Sequence, residues 1–150
     1  MIERLTAPGE AYELVTEDGP RGPQRVFRQA PSSLRRLYED ASSERPFLVH
    51  GDDDRTVDPH ISEELTEQWT ALHGTDALAD STVQEPGGAN RTGYRNDSGE
   101  EVVVHYRMAG MKHVLPVSPG EAPCQGGMET RWSVATAFHS TCAVARWWGL

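Results

Sequence analysis

This chain of 150 residues has a formal net charge of -9 and contains 37% hydrophobic residues. Its aliphatic residues are too scarce to fill the core of an ordinary domain, although four Trp and four Tyr favour packing over disorder. No basic stripe is available to neutralise phosphates and no apolar run is long enough to span a bilayer, so we expect no nucleic acid and no membrane as partner. The first residues lack a signal-peptide core, and the compartment stays unassigned.

The N-terminal third shows little periodicity. Residues 1–30 are rich in Pro and Gly and predict an irregular lead-in with one short strand near residues 12–15. A short helix is expected over residues 34–40. The apolar run at residues 46–50, ended by Gly51, is typical of a buried strand.

The strongest helix pattern covers residues 61–73. Its apolar residues recur every three to four positions and are expected to face the core; they are Ile61, Leu65, Trp69 and Leu72. Residues 75–99 are rich in Gly, Asn, Asp and Pro and predict a loop. The alternating residues 101–108 predict a strand with His105 on the sheet surface. A turn-rich stretch over residues 110–127 precedes a C-terminal helix over residues 133–148, with Trp147 and Trp148 in the core.

The order strand, acidic turn, helix, loop, strand, histidine turn, helix predicts an α/β layered fold. Two strands do not form a stable sheet alone, so their neighbours are expected to come from elsewhere.

Two turns carry the candidate chemistry, residues 50–57 and residues 110–113. A Ser-His-acid triad needs a carboxylate that orients the imidazole, and in α/β-hydrolases the acid and the histidine follow successive late strands. Asp54 and His113 occupy these two places in that order. Asp54 is preferred over its two acidic neighbours because it lies four residues past the strand, where the turn can swing back toward the sheet edge.

These segments resemble the polyhydroxyalkanoate depolymerase-like esterases. The pattern His-Gly-x-x-Asp-x-x-Val at residues 50–57, followed by Gln68-Trp69, is similar to a segment of that family. The strand and Gly-Met-Lys-His turn at residues 94–113 are similar to its second strand and histidine turn. The ending at residues 140–150 is similar to its last helix and final Trp-Gly-Leu, so the resemblance covers about residues 30–150 in collinear order.

The resemblance implies an α/β-hydrolase fold that cleaves carboxylic esters through an acyl-serine intermediate, without metal or cofactor. It assigns Asp54 as the triad acid and His113 as the triad base. Residues 31–150 would be the C-terminal half of the hydrolase domain, with its last two strands, and residues 1–30 stay unassigned. The sequence departs from the family at Lys112, where a small residue is usual, at residues 114–117 and at His60.

The nucleophile is missing from this pattern. The serine elbow requires Gly-x-Ser-x-Gly, and none of the serines has a glycine two residues before it. We therefore expect a truncated or split carboxylic-ester hydrolase that is inactive alone and acts on an ester or polyester only when another segment supplies the serine. The alternative is a catalytically dead remnant that acts as an interaction or dimerisation module through its unpaired sheet edge.

Two other motifs point to different chemistry. Four residues fall at ligand positions of a calcium loop, but Val57 stands where that loop needs glycine; the four are Asp52, Asp54, Thr56 and Glu63. Cys124 lies in a degenerate cysteine elbow that follows the histidine instead of preceding it. Cys124 and Cys142 either form one bridge or remain buried thiols.

Overall fold

The computed structural model describes the backbone of residues 3–7, 10–19 and 22–28, and residues 44–150 with their side chains. The helix predicted over residues 34–40 lies outside the described residues. Contacts between residues divide the chain into two units, Met1–Glu44 and Arg45–Leu150. In the described part, no helix is long and apolar enough to cross a bilayer.

The first unit contains an antiparallel three-stranded sheet. Strands β1 (Glu3–Ala7), β2 (Glu10–Gly19) and β3 (Gly22–Arg28) pair in chain order. The strand predicted near residues 12–15 is part of β2, which is longer than predicted and has a partner on each side that the sequence did not predict. Pro and Gly are also typical of hairpins, so their frequency in a sequence does not exclude strands.

The second unit is built on a four-stranded mixed sheet in the order β4-β7-β6-β5. Strand β4 pairs in parallel with β7, and the other pairs are antiparallel. The four strands are β4 (Phe47–Gly51), β5 (Ser81–Glu85), β6 (Ala89–Arg95) and β7 (Glu101–Met108). A smaller parallel pair is formed by β8 (Leu115–Val117) and β9 (Ser133–Ala135), and the helices are α1 (His60–Leu72) and α2 (Ser140–Trp148).

Strand β7 forms the centre of the core because both of its faces are covered. Val104, Tyr106 and Met108 pack in one cluster with Phe138 and with residues of α2. On the opposite face His105 lies against α1, with its Nδ1 atom 3.2 Å from the Thr66 hydroxyl. One helix on each face of a mixed sheet confirms the predicted α/β class.

The loop prediction for residues 75–99 is wrong, because β5 and β6 lie there. The side chains of β5 are mostly exposed, and the Pro86–Gly88 turn joins the two strands. Strand β5 is held mainly by backbone pairing with β6, whereas β6 pairs with β7 and also buries Ala89 and Tyr94. Strand β7 therefore has two sheet neighbours, whereas β4 has only β7 among the described strands.

Helix α1 packs its hydroxyl face on the sheet, with Trp69 as the apolar residue that reaches the core cluster of Tyr94, Val102 and Val103. Ser62, Thr66 and Thr70 are buried, whereas Ile61 is 43% exposed and Leu65 is 36% exposed. Each of the three hydroxyls donates to a backbone carbonyl of the preceding turn, at 2.7 to 2.9 Å. Because these polar groups are satisfied within the helix, a face of small side chains can pack closely on β7 without an unpaired donor. The prediction that the apolar row faces the core is therefore wrong for Ile61 and Leu65 but not for Trp69.

The C-terminal helix begins at Ser140, seven residues later than predicted. Residues 133–135 form β9 instead, and the next amide, of Thr136, donates to Val117 O at 2.7 Å. The indole nitrogens of Trp147 and Trp148 both donate to Arg45 O, at 3.0 and 2.9 Å, which ties the end of α2 to the start of β4. Trp148 is 54% exposed, so only Trp147 contributes to the core as predicted.

Candidate active site

The turns after β4 and β7 are joined by hydrogen bonds at the carboxyl edge of the sheet. The amides of Asp52 and Asp53 donate to Met108 O at 3.1 Å and to Met111 O at 3.0 Å. In return, the amide of Gly110 donates to Asp52 Oδ1 at 2.5 Å. Parallel neighbours bring their carboxyl ends to the same edge, and these bonds hold the two turns against each other.

Gly51 is required for this close approach. A Cβ atom at residue 51 would lie 2.2 Å from Met111 O and 2.8 Å from Lys112 O. These are backbone atoms, so the histidine turn would have to move to accommodate any side chain there. Gly51 therefore sets the distance between the acid and the histidine.

The structure brings the two predicted site residues into direct contact. His113 Nδ1 lies 2.8 Å from Asp54 Oδ2, across 59 residues of sequence. The other carboxylate oxygen, Asp54 Oδ1, accepts the amides of Thr56 at 2.8 Å and Val57 at 3.0 Å. Burial alone would raise the pKa of the Asp54 carboxyl, but the hydrogen bonds from Val57, His113 and Thr56 outweigh it and lower the pKa to about 2. At neutral pH Asp54 is therefore a fixed carboxylate.

The ionised acid dictates the tautomer of His113. A carboxylate can only accept, so Nδ1 must carry the proton and donate it to Asp54. The side chain of His113 is 50% exposed, compared with 5% for Asp54. Among the described residues Nε2 has no hydrogen-bond partner, and in the neutral ring it bears a lone pair that can take a proton.

The three consecutive aspartates have different partners. Asp52 binds the Gly110 amide, and Asp53 lies 3.5 Å from the guanidinium of Arg55. Asp54 alone of the three reaches His113, as the sequence predicted. His50 supports the acid turn, since its Nε2 lies 3.2 Å from Val57 O and 3.4 Å from Asp54 Oδ2.

The exposed edge of His113 opens into a cavity of about 370 Å³. This volume is within the usual range for small-ligand sites, near its lower end. The cavity combines carboxylate, cationic, hydroxyl and aromatic groups, and it is lined by Asp53, Arg55, Thr56, Lys112, His113 and Trp132. Such a set can bind a polar small molecule beside a proton acceptor.

The other sequence motifs do not form sites in the structure. Cys124 and Cys142 form a disulfide with a Cα–Cα distance of 5.3 Å, so Cys124 has no free thiol to act as a nucleophile. The described residues contain no group of three or more His, Cys, Asp or Glu arranged to hold a metal ion, and Asp54 of the calcium motif faces His113 instead. No serine hydroxyl in the described part of the chain hydrogen-bonds to His113.

Three residues that contribute to this site were not predicted from the sequence. Gly51 was taken only as the end of a strand, although a glycine directly after a strand and before an acidic turn is a signal of close backbone approach. Arg55 and Trp132 line the cavity, but Trp132 is 19 residues beyond His113 and no local pattern connects them. Only the folding of the segment after β8 brings Trp132 to the site.

No family model matches the chain. The chain is 31% identical over 103 residues to poly(3-hydroxyalkanoate) depolymerase C of Paucimonas lemoignei. The similarity supports a depolymerase-like relationship. The matched region is 69% of this chain but spans only a quarter of the length of that depolymerase.

Proposed function

We propose that this chain supplies the acid and the histidine of a carboxylic-ester hydrolase, with Asp54 and His113 in those roles. The observation that supports this most strongly is the 2.8 Å contact between a buried carboxylate and a half-exposed imidazole at the mouth of a cavity. The similarity to a depolymerase of poly(3-hydroxyalkanoates) favours an ester of a hydroxyalkanoic acid as the substrate. The nucleophilic serine is supplied by a segment outside these residues.

In this proposal His113 Nε2 removes the proton of the serine hydroxyl as it attacks the ester carbonyl. The imidazolium that forms is stabilised by the Asp54 carboxylate, and His113 then gives the proton to the departing alcohol. Water repeats the sequence on the acyl-serine and releases the acid. The low pKa of Asp54 suits this role, because the carboxylate stays ionised while the histidine cycles.

The proposal can be tested in a chimera that contains the rest of a hydrolase. The region of the Paucimonas lemoignei depolymerase that aligns with this chain is replaced by the matching 103 residues. We expect the chimera to hydrolyse a short hydroxyalkanoate ester. Asp54→Ala or His113→Ala should each lower kcat by roughly a thousandfold or more, as in other triads.

Asp97→Asn is the matched control, since Asp97 is an exposed carboxylate in the turn between β6 and β7. It should leave the rate of the chimera unchanged. A chimera with a native circular dichroism spectrum whose activity does not depend on Asp54 contradicts the proposal. The isolated chain should hydrolyse p-nitrophenyl butyrate no faster than its Asp54→Asn, His113→Ala variant.

A second candidate function is an interaction or dimerisation module without catalysis. Two observations favour it: β4 has a free edge among the described strands, and α1 exposes Ile61 and Leu65 on the outside of the sheet. Exposed strand edges and apolar rows are surfaces on which other chains pair. This candidate predicts self-association, whereas the hydrolase proposal predicts that Asp54 and His113 matter for a reaction.

A further inference from the structure

We propose that the cavity beside His113 selects esters that carry a free carboxylate, with Lys112 as the group that binds it and Arg55 assisting. This inference rests on the proposed hydrolase function, and it names the substrate class of the same site. Lys112 and Arg55 line the cavity together with His113. A carboxylate-bearing ester bound there would have its anion on the cations and its ester group beside the imidazole.

Lys112 is one of two cations that line the cavity, which also contains the carboxylate of Asp53. The side chain of Lys112 is exposed, and its ammonium group has no ion-pair partner among the described residues. Arg55 is only weakly paired, since its side chain is 88% exposed and its Nε lies 3.5 Å from Asp53 Oδ1. Lysine ammonium groups bind carboxylates through charge-assisted hydrogen bonds.

Trp132 gives the cavity a flat apolar wall. Its side chain is 60% exposed, so the indole ring is accessible to a ligand in the cavity. The guanidinium of Arg131 lies 4.5 Å from the centre of its ring and helps to hold the ring in place. A ligand with a hydrocarbon segment next to an anion would match Trp132 and Lys112 at once.

The position of the cations determines which ester bond is reached. A linear polyester of hydroxy acids has one free carboxylate, at its end, and all its other carboxyl groups are esterified. A cavity of about 370 Å³ is near the lower end of the range for ligand sites and admits a short piece of chain. Recognition of the carboxylate therefore places the terminal ester bonds beside His113 and favours short oligomers over internal bonds of a polymer.

The test is a binding titration of the purified chain, monitored by tryptophan fluorescence. The ligands are the linear dimer of 3-hydroxybutyrate, the methyl ester of the same dimer and the 3-hydroxybutyrate monomer. We expect the free-acid dimer to bind about tenfold more tightly than its methyl ester, the difference expected for one charge-assisted hydrogen bond. This preference should shrink as the salt concentration rises.

Lys112→Met should abolish the preference for the free acid. Arg107→Met is the matched control, since Arg107 is an exposed cation of β7 whose nearest acidic partner is Glu63 of α1, at 3.7 Å, and it does not line the cavity. Trp132→Phe should remove most of the fluorescence change if the ligand lies in this cavity.

Three results would overturn the inference: equal binding of the dimer and its methyl ester, a preference that Arg107→Met removes as well, or a monomer that binds as tightly as the dimer. If none of the three ligands binds, the inference is overturned as well. These results are independent of the hydrolase proposal, because the chimera measures turnover and its dependence on Asp54. A carboxylate preference in an inactive chimera would reject the hydrolase proposal alone.

Discussion

At the scale of single residues, Asp54 differs from its acidic neighbours in having both carboxylate oxygens occupied. The backbone amides of Thr56 and Val57 donate hydrogen bonds to Oδ1, and His113 Nδ1 donates one to Oδ2. Sequence could predict the pair, because the order of acid and histidine after successive strands fits a known arrangement of catalytic groups. The sequence could not predict the distance between the two side chains, which depends on Gly51 and on the backbone hydrogen bonds between the two turns.

Gly51→Ala should separate the acid from the histidine. The new methyl group would meet Met111 O, so the histidine turn must shift, and we expect a loss of stability of about 1–3 kcal/mol. Urea denaturation measures that loss, and binding at the His113 cavity should weaken with it. Gly126→Ala is the control, since its added Cβ would make only an ordinary 3.4 Å contact with His139. Equal stability of Gly51→Ala and the wild type would show that the turns are not this close.

His105 was predicted on the sheet surface but is 4% exposed, between β7 and α1. Burial, reinforced by the charges of Arg107 and His50 and opposed by Glu63, lowers the pKa of His105 from 6.5 to about 4. The alternation of residues in β7 was read correctly, but the face carrying His105 is covered because α1 lies on it. Its Nε2 has no hydrogen-bond partner among the described residues.

His105→Leu should reduce the sensitivity of the fold to mild acid. The unfolded chain binds a proton near pH 6.5 and the folded chain only near 4, so folding stability falls as pH is lowered through this window. The loss due to His105 is on the order of 1–3 kcal/mol and should be absent in the leucine variant. Urea denaturation between pH 7 and pH 4.5 measures the free energy of unfolding at each pH. If that free energy depends on pH in the leucine variant as it does in the wild type, the prediction is contradicted.

His60→Leu gives a control of opposite sign. The hydrogen bond to Glu63, with the charge of Glu64, raises the pKa of the exposed His60. Its contribution is present at low pH and is lost as pH rises through the raised pKa. Replacing His60 should therefore increase the loss of stability caused by acid, whereas replacing His105 should decrease that loss.

At the scale of elements, apolar patterning predicted β4 and β7 and failed at β5 and β6. Strands β4 and β7 contain consecutive apolar residues, which reveal their burial. Strand β5 is an edge strand with exposed side chains, and its polar sequence looks like that of a loop. The order of the sheet therefore depends on backbone pairing, which leaves little trace in the sequence.

Helix α1 was located correctly, but only part of its apolar row faces the core. Apolar periodicity identifies a helix, but it identifies the buried face only if the apolar residues are the ones that pack. Here Ser62, Thr66 and Thr70 pack on the sheet and leave Leu65 outside. The dimerisation proposal places a second chain on the exposed Ile61 and Leu65 and on the β4 edge, which is free among the described strands.

Leu65→Lys should weaken self-association of the chain. Leu65 lies in the exposed apolar row of α1, and a lysine there disfavours burial in an interface. We expect concentration-dependent association of the wild type in sedimentation velocity, with the association constant lowered about tenfold in the variant. Leu78→Lys changes an even more exposed leucine outside the helices and should have no such effect. A wild type that stays monomeric at all concentrations would exclude the dimerisation module.

At the scale of the whole molecule, the α/β class could be predicted, because the order of strands and helices sets the layers. The N-terminal sheet and the β8–β9 pair could not, since their strands carry weak apolar signals. The disulfide between Cys124 and Cys142 joins the segment after β8 to α2, and the sequence left its formation open. The site is the most predictable part because it depends on the ends of the two strands with the clearest patterns.

The contact between the turns that follow β4 and β7 places Asp54 against His113, and the ring nitrogens of His113 report on that contact directly. A ¹⁵N spectrum of the labelled chain, recorded above the usual titration range of histidine, distinguishes the two neutral tautomers. We predict that the proton of His113 resides on Nδ1 in the wild type and that Asp54→Asn changes this distribution. A proton on Nε2 in the wild type, or an Asp54→Asn spectrum identical to it, would contradict the pairing of Asp54 with His113.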